Sequence, residues 1–252
     1  MFQKLKIIKE TPSFIVINKR AGLITERNPF EITTVESLVE EYLTKGSRTP
    51  YSLDKNQVSA HKNKKNFKAP VKAKNAAFVG IVHRLDRVTS GTMVFAKKKN
   101  LLKKLNDQLS SRKIKKTYLA VLENPPPNKA GTLRHYLVKN QKEKCANIFK
   151  ENKKGSVECT LSYELLKSSA NGHLVKIDLK TGRFHQIRAQ FGFIGCPVIG
   201  DEKYGSTKKY LPLAICLHAW KLQFKDPLSN DDIVCEAEVP RTRYWQDYSH
   251  IL

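Results

Sequence analysis

The 252-residue chain is 40% hydrophobic, enough apolar surface for an ordinary core, and this excludes a globally disordered protein. Its 46 Lys and Arg against 23 Asp and Glu leave a formal charge of +23 at pH 7, a field that attracts phosphate backbones and points first to RNA or DNA. Five widely spaced cysteines, with no Cys-x-x-Cys pair and no His pair at zinc-finger spacing, exclude a disulfide framework and imply a reducing cytoplasm and no structural zinc.

The N-terminus is charged too early for a signal peptide and no later run is long enough to span a bilayer, so a cytoplasmic chain with no membrane partner is expected. Phe14-Ile15-Val16-Ile17 reads as a buried strand closed by the turn Asn18-Lys19-Arg20-Ala21-Gly22. Thr33 or Thr34 then caps a helix with Val35, Leu38, Val39, Tyr42 and Leu43 on one face. From Lys45 to Lys74 nine Lys or Arg stand against one acid, Asp54, with no apolar periodicity, and the stretch reads as a flexible basic insertion: an RNA-phosphate clamp or a solvated loop.

Strands expected over 78–82 and 92–96 flank the polar segment His83-Arg84-Leu85-Asp86-Arg87-Val88-Thr89-Ser90-Gly91, which places it on a connecting loop, where chemistry commonly sits. Leu101, Leu102, Leu105 and Leu109 mark a helix ending near Arg112, followed by the strand Thr117–Leu122. Further strands are expected near 131–138, 157–166, 174–179 and 215–224, with a short helix starting near Arg183. Many strands, few helices and no regular alternation predict an α+β fold with a largely antiparallel sheet.

Asp86 lies between Arg84 and Arg87, whose charge favours a carboxylate and suits a nucleophile or base; the same residues also fit a salt-bridged loop. In Thr181-Gly182-Arg183-Phe184-His185-Gln186-Ile187-Arg188, a helix begun at Arg183 puts Phe184, Ile187 and Arg188 on one face and turns His185 and Gln186 away. Arg183 and Arg188 there suit a phosphate clamp or a bidentate carboxylate pair. Tyr118, beside Lys115 and Lys116, faces either the core or a cleft, since Leu119 and Val121 cannot share its side of the strand.

Together these segments resemble the RluA-type family of pseudouridine synthases, in the family's order and through most of the chain. His83-Arg84-Leu85-Asp86 followed by Thr89-Ser90-Gly91 is similar to its catalytic motif, and Lys116–Val121 to its tyrosine motif. Gly182–Arg188 with Ile194–Asp201 and Tyr204-Gly205 resembles its third block, and Asn18-Lys19, Gly22 and Leu217-His218-Ala219 match its first and last. Departures are Arg20 where proline is usual, Phe184 where a small hydroxyl residue is common, Gln190 where histidine is frequent, and Asp226 before Pro227.

The resemblance implies one pseudouridine synthase catalytic domain over residues 1–252, with a bent, largely antiparallel mixed sheet, a central RNA-binding cleft, and no separate N-terminal RNA-binding domain. It implies no metal and no organic cofactor. Asp86 would act on a flipped-out uridine of ribosomal or transfer RNA, by covalent attack or by removing a ribose proton; Arg188 would pair with Asp86. Tyr118 would stack on the uracil and help move the carbon-5 proton, and Arg84 would fill the vacated stack, while Arg87, Arg183 and Lys116 bind RNA. His83 and His185 would serve as scaffold hydrogen-bonders. A non-catalytic RNA-binding protein is argued against by the three motif residues together, and a methyltransferase by the lack of a Gly-rich nucleotide loop. A monomer is expected, because no long apolar seam remains exposed.

Overall fold

The computed structural model describes residues 5–31, 33–45 and 76–251, so the basic insertion beyond Lys45 lies outside the described residues. In chain order the elements are β1 (Lys6–Glu10), β2 (Phe14–Lys19), α1 (Val35–Lys45), β3 (Gly80–Ile81), β4 (Ser90–Ala96), α2 (Lys99–Ser110), β5 (Lys115–Leu122), β6 (Ala130–Asn140), β7 (Cys145–Phe149) and β8 (Val157–Ser168). There follow β9 (His173–Leu179), α3 (Gln186–Phe193), a 3-10 turn (Glu202–Tyr204), β10 (Leu217–Lys225), β11 (Asp232–Glu236) and α4 (Arg243–Gln246). Among these, no helix is long and apolar enough to cross a membrane.

The strands form one open sheet in the order β1-β2-β4-β10-β5-β9-β8-β6-β7, with β11 on β10 and β3 on β4. Every strand pairing is antiparallel except the short parallel contact of Ser90 and Gly91 on β4 with His218 and Ala219 on β10. The α+β architecture and largely antiparallel sheet expected from the sequence are therefore those of the molecule.

Strand alternation gives the β2–β4 pair a core on both faces. Ile15, Ile17, Met93 and Phe95 point into one cluster with Val35 and Val39 of α1, whereas Phe14, Val16, Val94 and Ala96 point into another with Leu105 of α2. Each of the larger side chains, fully buried, is worth about 1.5–3 kcal/mol. Helix α1 begins where Thr34 and Ser37 exchange caps: Ser37 N donates to Thr34 Oγ1 (3.1 Å) and Thr34 N to Ser37 Oγ (2.9 Å). A third cluster, Leu137, Ala146, Ile148, Cys159 and Ala189, joins the β6–β7–β8 end of the sheet to α3.

The helix expected from Arg183 begins three residues later, and the expected facing of its residues changes with it. His185 adopts a left-handed conformation (φ 53°), and the Gln186 side chain closes the turn, its Oε1 accepting from Arg183 N (3.0 Å) and Thr181 Oγ1 (2.8 Å). Phe184 and His185 thus precede the helix instead of lying along it. The strand expected over 78–82 is only Gly80–Ile81. Strands β1, β7 and β11 and helix α4 were not expected from the sequence.

Gly91 sits where β4 meets β10. Its φ is +121°, and a Cβ there would lie 2.2 Å from the carbonyl oxygen of Ala219. Gly91→Ala is expected to destabilise the fold by about 3 kcal/mol or more in urea denaturation; a loss under 1 kcal/mol would contradict this packing.

Candidate active site

A cleft of about 1300 Å³ opens where the loop entering β4, the start of β5, the end of β9 and the turn before α3 converge. It brings Asp86, Tyr118 and Arg188 together with Arg84, Arg183 and Lys116, six residues drawn from three separate segments of the chain. Arg87, the remaining expected RNA contact, is not among its lining residues and forms an ion pair with Glu31.

Asp86 opens a tight turn, its carbonyl accepting from Thr89 N (3.1 Å). The turn is held from beneath by Lys19, which is 1% exposed and donates from Nζ to the carbonyls of Arg20 (3.0 Å), Arg87 (3.1 Å) and Thr89 (2.7 Å). Burial pulls the Lys19 ammonium down to about 7, with the nearby Asp86 charge opposing that shift. On one flank Thr25 Oγ1 donates to Leu85 O (3.1 Å); behind, Ser90 Oγ meets His218 Nδ1 (2.8 Å), and His218 reaches Ala237 O (3.3 Å). His83 accepts from Val94 N through Nε2 (3.3 Å), the scaffold role expected of it.

The side chain of Asp86 is met by Arg188, whose Nη1 donates to Oδ2 at 3.1 Å. Arg188 is 5% exposed and spends its other donors on Asp201, with Nε to Oδ2 at 2.6 Å and Nη2 to Oδ1 at 2.8 Å, while its guanidinium lies 5.1 Å from the Tyr204 ring centre. Burial works against the guanidinium charge, but Asp201 and then Asp86 outweigh it and hold its pKa above the ordinary arginine value. Sequence reasoning gave no role to Asp201 or Tyr204. Nothing in the chain order shows that Asp201 faces Arg188.

His185 is nearer Asp86 than expected. Its Nε2 lies 3.7 Å from Asp86 Oδ2, its Nδ1 is 2.9 Å from Tyr204 Oη, and Phe184 stacks on its ring with centroids 3.8 Å apart. Burial drives its pKa down to about 4 although Asp86 opposes the shift, so it is a neutral imidazole beside the carboxylate. Phe184, one of the departures from the family pattern, thus forms one wall around His185. Gln190, another, is fully buried and donates to Leu133 O (3.1 Å) while meeting His135 Nδ1 (3.1 Å).

Tyr118, 6% exposed, lines the cleft and also packs into the main core cluster, so both of its possible facings hold. Burial first, and the Asp86 charge second, push its phenol above the usual tyrosine value and keep it protonated. Arg84 stands at the mouth, 71% exposed, pairing with Glu26 at 3.4 Å, while Arg183 donates to Glu158 O (3.3 Å).

A carboxylate on a turn beside a strand, tied to a buried arginine in a basic cleft that a buried tyrosine also lines, is an arrangement suited to acid–base or nucleophilic chemistry on an anionic ligand. Comparison with known proteins fixes the class. The human RNA pseudouridylate synthase domain containing 1 shares the fold with a TM-score of 0.68 at 21% identity, over 95% of this chain and 85% of that one. The family model described as RNA pseudouridylate synthase matches residues 13–192. A ribosomal large subunit pseudouridine synthase C of Rickettsia felis is 30% identical over 239 residues, which are 93% of this chain and 67% of the relative. An uncharacterized RNA pseudouridine synthase of Bacillus subtilis is 29% identical over 95% of this chain and 70% of its own length. The chain belongs to the RluA-type family of RNA pseudouridine synthases, isomerases that act on uridine in RNA. It spans about two thirds of the length of these two relatives and 53% of a similarly named protein of Buchnera aphidicola.

Two outcomes are expected. Asp201→Asn leaves the buried Arg188 without its second carboxylate and should cost about 3 kcal/mol in denaturant unfolding, together with activity; an unchanged midpoint would refute the clamp. His83, His185 and His218 are held down by burial to about 3, 4 and 4. The unfolded chain therefore binds protons first as pH falls below about 6.5, so stability is full above that value and declines towards pH 4, by up to about 1.4 kcal/mol per pH unit for each proton. Stability level from pH 7 to pH 4.5 would contradict neutral buried imidazoles.

Proposed function

We propose that the chain converts specific uridines of ribosomal or transfer RNA to pseudouridine, with Asp86 as the catalytic carboxylate acting on a flipped-out nucleotide. The observation that carries the reading is the contact of Arg188 with Asp86 inside a cleft that also holds Tyr118. The names of the Rickettsia and Buchnera relatives, ribosomal large subunit pseudouridine synthase C, favour RNA of the large ribosomal subunit.

A stacked uridine cannot reach Asp86, so it must leave the helix at a cost of a few kcal/mol. Arg84, exposed at the cleft mouth and held only by a surface ion pair with Glu26, is free to move into the gap, where its planar guanidinium replaces the lost stacking. The glycosidic bond is then broken and the ribose rejoined to carbon 5 of the retained base. Arg188 fixes the rotamer of Asp86 for that step, and the neutral His185 adds no competing cation. Tyr118 stacks on the uracil; because its phenol stays protonated, it can take the carbon-5 proton only while passing its own to solvent, and N1, freed from the ribose, takes one proton up, so the isomerisation is proton-neutral. Residues 1–252 form one catalytic domain in this reading. The cleft arginines and lysines hold the RNA by its phosphates.

Asp86→Asn keeps the shape of the site and removes the nucleophile or base. Pseudouridines mapped by carbodiimide-stop sequencing in cells carrying only this variant should be lost at the enzyme's sites, while the purified variant still binds RNA. Identical maps in variant and wild type would overturn the mechanism.

A further inference from the structure

Lys116 and Tyr118 lie two residues apart on β5, so both project from the same face of that strand, about 7 Å apart, and both line the cleft. Among the other cations of the site, Arg112, Lys115 and Lys180 are exposed to water, whereas Lys19 is saturated by three carbonyls, Arg188 by two carboxylates, Arg84 by Glu26 and Arg183 by a carbonyl. Lys116 differs. It is half-buried, its ammonium forms no hydrogen bond or ion pair with any described residue, and burial lowers its pKa with no carboxylate nearby to offset the cost. The opposite wall is Gly182, where a Cβ would come within 3.1 Å of Lys116 Nζ, so the missing side chain leaves the ammonium facing open cleft. His83, also lining the cleft near enough to feel the Lys116 charge, is held neutral and adds none of its own.

A half-buried ammonium with no protein partner among the described residues is best satisfied when an anion meets it on binding. RNA carries that anion in its phosphodiester, one ribose away from each base. We propose that Lys116, with Gly182 keeping the space open, seats one phosphate of the RNA strand next to the flipped uridine and so sets how far the nucleotide enters towards Tyr118 and Asp86. The proposal rests on the reading of the chain as a pseudouridine synthase. It makes Lys116 a positioning residue: the phosphate acts as the stop, and the base is delivered to the Tyr118 ring at a fixed depth.

The test uses the wild-type chain, Lys116→Met and Lys116→Arg, with fluorescence anisotropy of a labelled oligouridylate from 50 to 200 mM salt. Loss of one phosphate contact should make the slope of log K against log salt shallower by about 0.7 in Lys116→Met, while Lys116→Arg keeps the wild-type slope. In thermal melts Lys116→Met should be no less stable than wild type, because no described partner is lost. On total RNA, Lys116→Met should raise KM more than it lowers kcat. An unchanged salt slope in Lys116→Met, or a lowered melting temperature, overturns the phosphate seat. Absence of pseudouridine formation by the wild-type chain would instead overturn the functional reading, leaving the slope to decide the role of Lys116.

Discussion

The site depends on how one buried guanidinium is shared. Arg188 is almost wholly removed from water, and such a charge is tolerated only where each donor finds an acceptor. Asp201, itself 2% exposed, takes two of them in a planar fork, which fixes the guanidinium and leaves Nη1 aimed at Asp86. Geometry is thereby passed from a fully buried pair to a carboxylate that remains open to the cleft. Tyr204 adds its ring face to the same guanidinium and its hydroxyl to His185, so the neighbours of Asp86 are locked to one another as well as to Asp86.

The backbone carrying Asp86 is restrained by groups that are also buried. Lys19 ties three carbonyls around the turn, Ser90 and His218 join the loop exit to β10, and Gly91 lets the two strands approach as closely as they do. This arrangement has an electrostatic consequence. The cations nearest Asp86 are committed to protein acceptors, and the nearby histidines are neutral, so positive charge without a partner among the described residues lies elsewhere along the cleft, at Arg112, Lys115, Lys116 and Lys180. Asp86 and the exposed positive charge are thus separated within one cleft.

Much of this was legible in the chain because it is written in local pattern. Ile15, Ile17, Met93 and Phe95 on one face, and Leu101 and Leu105 at helical spacing, announce buried strands and a covering helix. The strands that escaped notice lie at edges: β1, β7 and β11 each pair with a single neighbour, and β1, Lys-Ile-Ile-Lys-Glu, carries charge at both ends, as edge strands do; α4, though it buries Tyr244 and Trp245, is only four residues long and too short for a helical period. Lys19 was visible in principle, since alternation puts it on the side of Ile15 and Ile17 and therefore inward. The start of α3 was misplaced because the left-handed His185 and the Gln186 cap are set by contacts with Thr160 and Thr181, remote from any helix signal in the residues themselves.

The sequence by itself determined the fold class, the family motifs and the identity of Asp86, Tyr118 and Arg188 as candidates, because residue type, spacing and order are enough to carry those. Only the tertiary structure decided that Asp201 holds Arg188, that His185 stands against Asp86, that Arg87 turns to Glu31, and that Lys116 finds no partner among the described residues. The physical reason is that a charge is defined by its partner and its distance from water. Both are properties of segments that meet only after the chain has folded.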